Sequence, residues 1–158
     1  MSKKLVFIIG LPFILLYSCG KYSCQRSIGL RLAFVSFTQA ETDTIILKRY
    51  VKGTNLSQQI DSAMIDTTLI KYTARGDTLY PSELHVQTLL NSVYDYQVVI
   101  PAANKTFTIT DIEEEEKRVR RGFLSSTKDL CYNPIRAYTL NGSRKTVIPN
   151  REVAYLDN

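Results

Sequence analysis

The chain has 158 residues, of which 20 are Lys or Arg and 15 are Asp or Glu, giving a net charge of +5. This length suits one domain with a single hydrophobic core. The mild charge, with both signs mixed along the chain, argues against a nucleic-acid-binding protein, which usually carries a concentrated basic face.

The first 18 residues have the pattern of a signal peptide. Lys3 and Lys4 precede an apolar run that ends at Leu16-Tyr17-Ser18-Cys19. Secretion signals combine a positive start with a short apolar core of this kind. A membrane-spanning helix needs about 20 apolar residues, and this run is shorter. A cleaved signal is therefore favoured over an uncleaved anchor.

The motif Leu16-Tyr17-Ser18-Cys19 resembles the lipobox of bacterial lipoproteins. The resemblance implies cleavage after residue 18 and two or three acyl chains on Cys19, and two chains suffice for stable membrane anchoring. Gly20 stands where an aspartate would signal retention in the inner membrane, and no acidic residue appears before Glu41. We therefore expect residues 19–27 to tether the protein to the bilayer of the outer membrane, facing the periplasm.

An alternative source is a secreted eukaryotic glycoprotein. Three N-x-S/T triplets begin at Asn55, Asn104 and Asn141. Such triplets carry glycans only in a glycosylating compartment. If Cys19 is a lipidation site in a bacterium, all three triplets are inert.

The remaining cysteines predict a disulfide bond. With Cys19 lipidated, Cys24 and Cys131 are left. The periplasm is oxidising, so two thiols there favour a bridge. The competing interpretation is a disordered Cys24 and a buried free thiol at Cys131.

Residues 28–158 predict an all-β domain, a single antiparallel β-sandwich of immunoglobulin-like architecture with about seven strands. Alternating or β-branched runs predict strands over residues 28–37, 42–52, 67–73, 94–100, 105–112, 135–140, 144–148 and 151–156. Asn141-Gly142 predicts a type I′ hairpin, because both central residues of that turn need positive φ.

Two segments are ambiguous. Residues 56–64 favour a short helical turn between the second and third strands. Residues 82–93 fit a helix through Val86, Leu89, Leu90 and Val93, or an alternating strand, and the β-rich neighbours favour the strand.

A run of opposite charges occupies residues 113–121. Three Glu-to-Lys or Glu-to-Arg pairs fall at i,i+4 in the favourable order, which predicts a short solvated helix. The run is either a self-neutralising surface or an interaction patch for a partner or a divalent cation. Its charged residues are Glu113, Glu114, Glu115, Glu116, Lys117, Arg118, Arg120 and Arg121.

Catalytic motifs are scarce. His85 is the single histidine, and no nucleophile motif, paired metal-ligand spacing or glycine-rich phosphate loop accompanies it. We therefore expect no enzyme, no cofactor and no metal. The alternative is an envelope hydrolase or carbohydrate-active enzyme with paired carboxylates drawn from Asp61, Asp66 and Asp77, or from the glutamates of residues 113–116.

From Cys19 onward the chain resembles small Bacteroidota-type envelope lipoproteins of unknown function. The resemblance rests on the lipobox, on Asp43-Thr44-Ile45-Ile46 and on Cys131-Tyr132-Asn133-Pro134. It implies a periplasm-facing β-sandwich and assigns no catalytic residue. The sequence therefore predicts a non-catalytic envelope lipoprotein that binds another envelope protein or a glycan.

Overall fold

The computed structural model describes residues 28–66, 72–81, 90–119, 130–148 and 151–158. These segments contain no α-helix, and a 3-10 turn spans Pro101–Ala103. Their strands are β1 (Arg31–Val35), β2 (Thr44–Val51), β3 (Gln59–Asp66), β4 (Tyr72–Arg75), β5 (Thr78–Pro81), β6 (Tyr94–Ile100), β7 (Lys105–Glu114), β8 (Lys117–Val119), β9 (Leu130–Tyr132), β10 (Ile135–Leu140), β11 (Ser143–Thr146) and β12 (Val153–Asp157).

The strands form two large sheets. One has the order β12-β1-β5-β4, the other β11-β10-β7-β6-β2-β3, and β8 pairs with β9. This arrangement confirms the predicted all-β sandwich. The described segments hold twelve strands where about seven were expected, because β3 and β5 add to the large sheets and β8 and β9 form a separate two-stranded sheet. The first and last strands, β1 and β12, pair in parallel.

One hydrophobic core lies between the large sheets. Phe37 packs edge-on against Phe34 of β1 at 6.0 Å and against Phe107 of β7 at 6.3 Å, so it joins the sheets. Alternation along each strand directs one side-chain face inward. Fully buried members of this core are Leu30, Phe34, Ile45, Leu90, Val98, Ile100, Ile109, Ile112, Ala154 and Leu156.

The strands β6 and β7 bury alternate apolar side chains. Tyr96, Val98 and Ile100 are buried, and Pro101 ends β6. In β7 the alternation shifts at Asp111, whose φ is 51°, and Ile112 is buried next. The pairing of β7 with β10 has one extra β7 residue at this point, which is a β-bulge.

The helical turn expected at residues 56–64 is wrong, because β3 pairs with β2 over most of that range. The helix expected at residues 113–121 is also wrong, since β7 continues to Glu114 and β8 follows. Each of the three i,i+4 ion pairs would stabilise a helix by about 0.2–0.5 kcal/mol. Burial of the Ile112 side chain and completion of the hydrogen-bonded sheet stabilise the strand by more. Residues 67–71 and 82–89 lie outside the described residues, with His85 among them.

Candidate functional site

A cleft of about 480 Å³ opens between the β10–β11 hairpin and β12. The hairpin forms because Asn141 (φ 48°) and Gly142 (φ 77°) adopt the positive φ values of a two-residue turn. The parallel pairing of β12 with β1 supplies the opposite wall. Among its lining residues, the apolar ones are Val35, Phe107, Leu140, Val147, Ile148 and Val153. The polar ones are Tyr138, Asn141, Lys145, Thr146, Arg151, Tyr155 and Asp157.

Tyrosines form one wall of the cleft. Tyr155 is 44% exposed, and its ring meets Tyr80 of β5 edge-to-face at 6.4 Å. The Arg75 guanidinium lies 5.8 Å from the centre of the Tyr80 ring. The neighbouring Tyr155 hydroxyl is the main cause of a raised pKa at Tyr80, and burial raises the pKa of Tyr138. Tyr80 and Tyr138 therefore keep their protons near pH 7, and a tyrosine hydroxyl can donate a hydrogen bond.

The charge of the cleft is positive. Lys145 and Arg151 line it, and Arg75 lies behind Tyr80. Within the described part of the chain, none of these three cations forms an ion pair. Asp157 is the single carboxylate among the described lining residues. The cleft therefore combines an apolar floor, an exposed aromatic ring and cations that are free to attract an anion.

The carboxylates proposed for hydrolysis lie elsewhere. Asp61 on β3 binds Arg49 of β2, with Arg49 Nε donating to Oδ1 at 2.7 Å, and this bond lowers the pKa of the Asp61 carboxyl. Asp77 lies in the β4–β5 turn of the other sheet and accepts a hydrogen bond from Thr78 Oγ1 at 3.1 Å. The Asp66 side chain lies outside the description. Across the described segments, no three His, Cys, Asp or Glu side chains are grouped to hold a metal.

The charged run at residues 113–118 has local partners. Arg144 Nη1 and Nη2 each donate to a Glu113 carboxylate oxygen at 2.8 Å. Ser92 Oγ donates to Glu114 Oε1 at 2.7 Å, and Arg118 binds Glu116. Glu113 is therefore paired with Arg144 and not with Lys117, its expected i,i+4 partner. Glu115 and Lys117 belong to the same run, whereas Arg120 and Arg121 lie outside the described residues.

Cys131 in β9 is disulfide-bonded, and its partner lies outside the described residues. The Ile28 N–H donates to the Asn133 carbonyl at 3.3 Å, so the chain enters the domain beside this segment. Four residue steps separate Cys24 from Ile28 and span at most about 14 Å, which brings Cys24 within reach of Cys131. The Cys24–Cys131 pairing stays a prediction, as does lipidation of Cys19, which also lies outside the described residues.

The three glycosylation triplets all begin in turns. Asn55, Asn104 and Asn141 have φ values of 51°, 52° and 48°. Asparagine tolerates this left-handed conformation better than most residues. Turn geometry therefore accounts for asparagine at all three positions.

Sequence reasoning missed the cleft. Its walls come from β1, β7, β10, β11 and β12, and no local pattern reports that the first and last strands pair. The hairpin signal at Asn141-Gly142 identified one wall only.

Comparisons with protein-family models, curated proteins and solved structures find no match to this chain. Over the described segments, no helix is long and apolar enough to cross a membrane.

Proposed function

We propose that the protein is a lipid-anchored lipoprotein of a bacterial envelope, with a non-catalytic β-sandwich that binds a ligand on the periplasmic side. The cleft beside β12 is the observation that carries the binding role. It is a concave surface in which six apolar side chains lie beside seven polar ones, so a ligand could make both apolar contacts and hydrogen bonds there.

The anchor rests on the lipobox and on the path of the chain. Cys19 follows a short apolar signal, and the first described residue, Ile28, joins the sandwich beside Asn133. Cleavage before Cys19 leaves a tether of nine residues, which extends to about 30 Å at most. The lipid then holds the domain near the bilayer surface without any membrane-inserting surface on the sandwich itself.

A non-catalytic role is favoured over hydrolysis by paired carboxylates. Glycosidases that use two acids need both carboxyl groups within one substrate site. Among the described residues that line the cleft, Asp157 has no second carboxylate beside it. Asp61 is bound to Arg49 on the six-stranded sheet, whereas Asp77 lies in the β4–β5 turn of the four-stranded sheet, so these two carboxylates do not share one site.

A bacterial origin is favoured over eukaryotic secretion. The turn conformations of Asn55, Asn104 and Asn141 give each asparagine a structural reason to be present. The triplets therefore do not require a glycosylating compartment.

Metabolic labelling tests the anchor. The full-length protein is expressed in a bacterial host fed an alkyne fatty acid, alongside Cys19→Ser and the matched control Cys24→Ser. We expect wild type and Cys24→Ser to be labelled and membrane-bound, and Cys19→Ser to be unlabelled. Label that persists in Cys19→Ser, or an unlabelled soluble wild-type protein, would contradict the proposal.

A further inference from the structure

Two cations, Lys145 and Arg151, flank the cleft between the β10–β11 hairpin and β12. Lys145 and Arg151 contact no carboxylate within the described segments, and Asp157 offsets only one of their charges. Arg75 adds a third positive charge behind Tyr80. A concave surface with excess charge of one sign concentrates ligands of the opposite sign. The ligand that fits this surface is therefore anionic.

An exposed aromatic ring defines the second property of the ligand. Tyr155 is 44% exposed and lies edge-to-face with Tyr80, which fixes its orientation. A tyrosine at such a position offers an apolar ring face together with a hydroxyl that can bond a polar ligand. The C–H face of a sugar ring matches this combination, because its hydroxyl edge remains free for hydrogen bonds.

Hydrogen-bonding groups and size define the third property. The Asn141 Oδ1 atom accepts from the Thr108 N–H at 2.8 Å, which orients the amide and leaves its NH₂ group for a ligand. Thr146 adds a hydroxyl, and the volume of about 480 Å³ lies in the range of small-ligand sites. One or two sugar rings fit such a space.

We propose that this cleft binds an acidic saccharide, a sugar that carries a carboxylate or a phosphate group. Lys145 and Arg151 bind the anionic group, and Tyr155 packs against the sugar ring. This proposal deepens the binding role proposed above, and it does not depend on whether Cys19 is acylated.

Titration calorimetry of the full-length protein in detergent tests the proposal. The probes are oligogalacturonate and glucose 6-phosphate, with galactose and glucose as uncharged counterparts, inorganic phosphate as a bare anion and tetraglutamate as an acidic peptide. We expect at least one acidic sugar to bind at least 10-fold more tightly than its neutral counterpart, and more weakly as salt rises. We also expect the protein to bind this acidic sugar more tightly than phosphate or tetraglutamate.

Variants assign the binding to the cleft. Lys145→Gln and Arg151→Gln should each lower the affinity for the acidic sugar about 10-fold. This is the loss expected for one charge-assisted hydrogen bond. Tyr155→Leu, which keeps apolar bulk and removes the ring, also weakens it. Lys48→Gln removes one positive charge from β2, which contributes no residue to the described lining of the cleft, and leaves the affinity unchanged.

Several results would overturn the assignment. The first is that neither acidic sugar binds. The second is that neutral sugars, phosphate or tetraglutamate bind as tightly as the acidic sugar. The third is that Lys48→Gln lowers the affinity as much as Lys145→Gln or Arg151→Gln does. Fatty-acid labelling of Cys19 is read separately, so a failed ligand assignment is distinguishable from a failed anchor.

Discussion

Positive φ angles explain several single residues in this chain. At the β10–β11 turn, Asn141 and Gly142 both adopt them, and the Asn141 side chain also accepts the Thr108 N–H at 2.8 Å. An alanine at position 141 would keep neither the hydrogen bond nor an easy left-handed backbone.

We therefore expect Asn141→Ala to lower the free energy of unfolding by about 1–2 kcal/mol. Ser143→Ala, an exposed neighbour in β11, serves as the control and should be nearly neutral. Urea denaturation of both variants measures the difference. Equal stability of the two variants would show that the turn does not depend on Asn141.

A surface ion pair predicts a pH effect. The Arg144 guanidinium is the main cause of a lowered pKa at Glu113. A carboxylate with a lowered pKa stabilises the fold above its ordinary titration range and loses that contribution as pH falls through the lowered value. Both partners are largely exposed, so the effect on stability is small.

An NMR titration of the side-chain carboxyl carbons measures the Glu113 pKa directly. We expect it below the ordinary value of a glutamate carboxyl, and we expect Arg144→Gln to raise it. A Glu113 midpoint unchanged by Arg144→Gln would contradict the pairing.

At the scale of elements, the Asp95 side chain joins two turns. Its Oδ2 accepts the Gly53 N–H at 2.8 Å after β2, and its Oδ1 accepts the Asp111 N–H at 3.3 Å at the β7 bulge. The carboxylate is buried, with 2% of the residue exposed. Its removal would leave both backbone donors without this acceptor.

Asp95→Ala is expected to lower the free energy of unfolding by about 1–3 kcal/mol for each donor left unsatisfied. Asp95→Asn retains one acceptor and should lose less. The thermal unfolding of both variants is compared with that of Asp43→Ala. Asp43 is a half-buried aspartate that follows the turn at residues 38–42. The expectation fails if Asp95→Ala is as stable as Asp43→Ala.

Strands with a clean alternation were predictable from sequence, and the charged run was not. Phe107 and Ile109 alternate with threonines, and the structure buries both. The helix expected after Ile112 rested on ion pairs between exposed residues, which are weak. The strands β10 and β9, which pair with β7 and β8, lie further along the sequence. No local pattern could therefore predict that this strand pairing would prevail over a helix.

At the level of the whole molecule, the described chain joins the sandwich beside β9. Ile28 bonds to Asn133, and Cys131 two residues earlier is disulfide-bonded. A bridge to Cys24 would leave five residue steps to Cys19, at most about 17 Å. The domain would then be held at a short, nearly fixed distance from the bilayer.

The predicted bridge closes a loop of about 100 residues, worth up to about 4–5 kcal/mol. We expect Cys24→Ser and Cys131→Ser to lower the free energy of unfolding by similar amounts, and the double variant to lose no more than either. Cys19→Ser is the control and should unfold like wild type in guanidinium. A loss in Cys131→Ser without one in Cys24→Ser would contradict the pairing.

The cleft shows what sequence could not predict at this scale. The β12 strand was expected at residues 151–156, and its parallel partner β1 lies at the other end of the described chain. Tyr155 and Tyr80 meet only because both strands flank β1. The lipobox-like motif Leu16-Tyr17-Ser18-Cys19, by contrast, is contiguous, so its resemblance can be seen without knowledge of the fold.

Non-reducing peptide mapping by mass spectrometry, on protein extracted from bacterial membranes, examines the anchor and the disulfide together. We expect the mature chain to begin at an acylated Cys19 and Cys24 to be linked to Cys131. An unmodified N-terminus at another residue, or Cys131 linked to Cys19, would contradict this expectation.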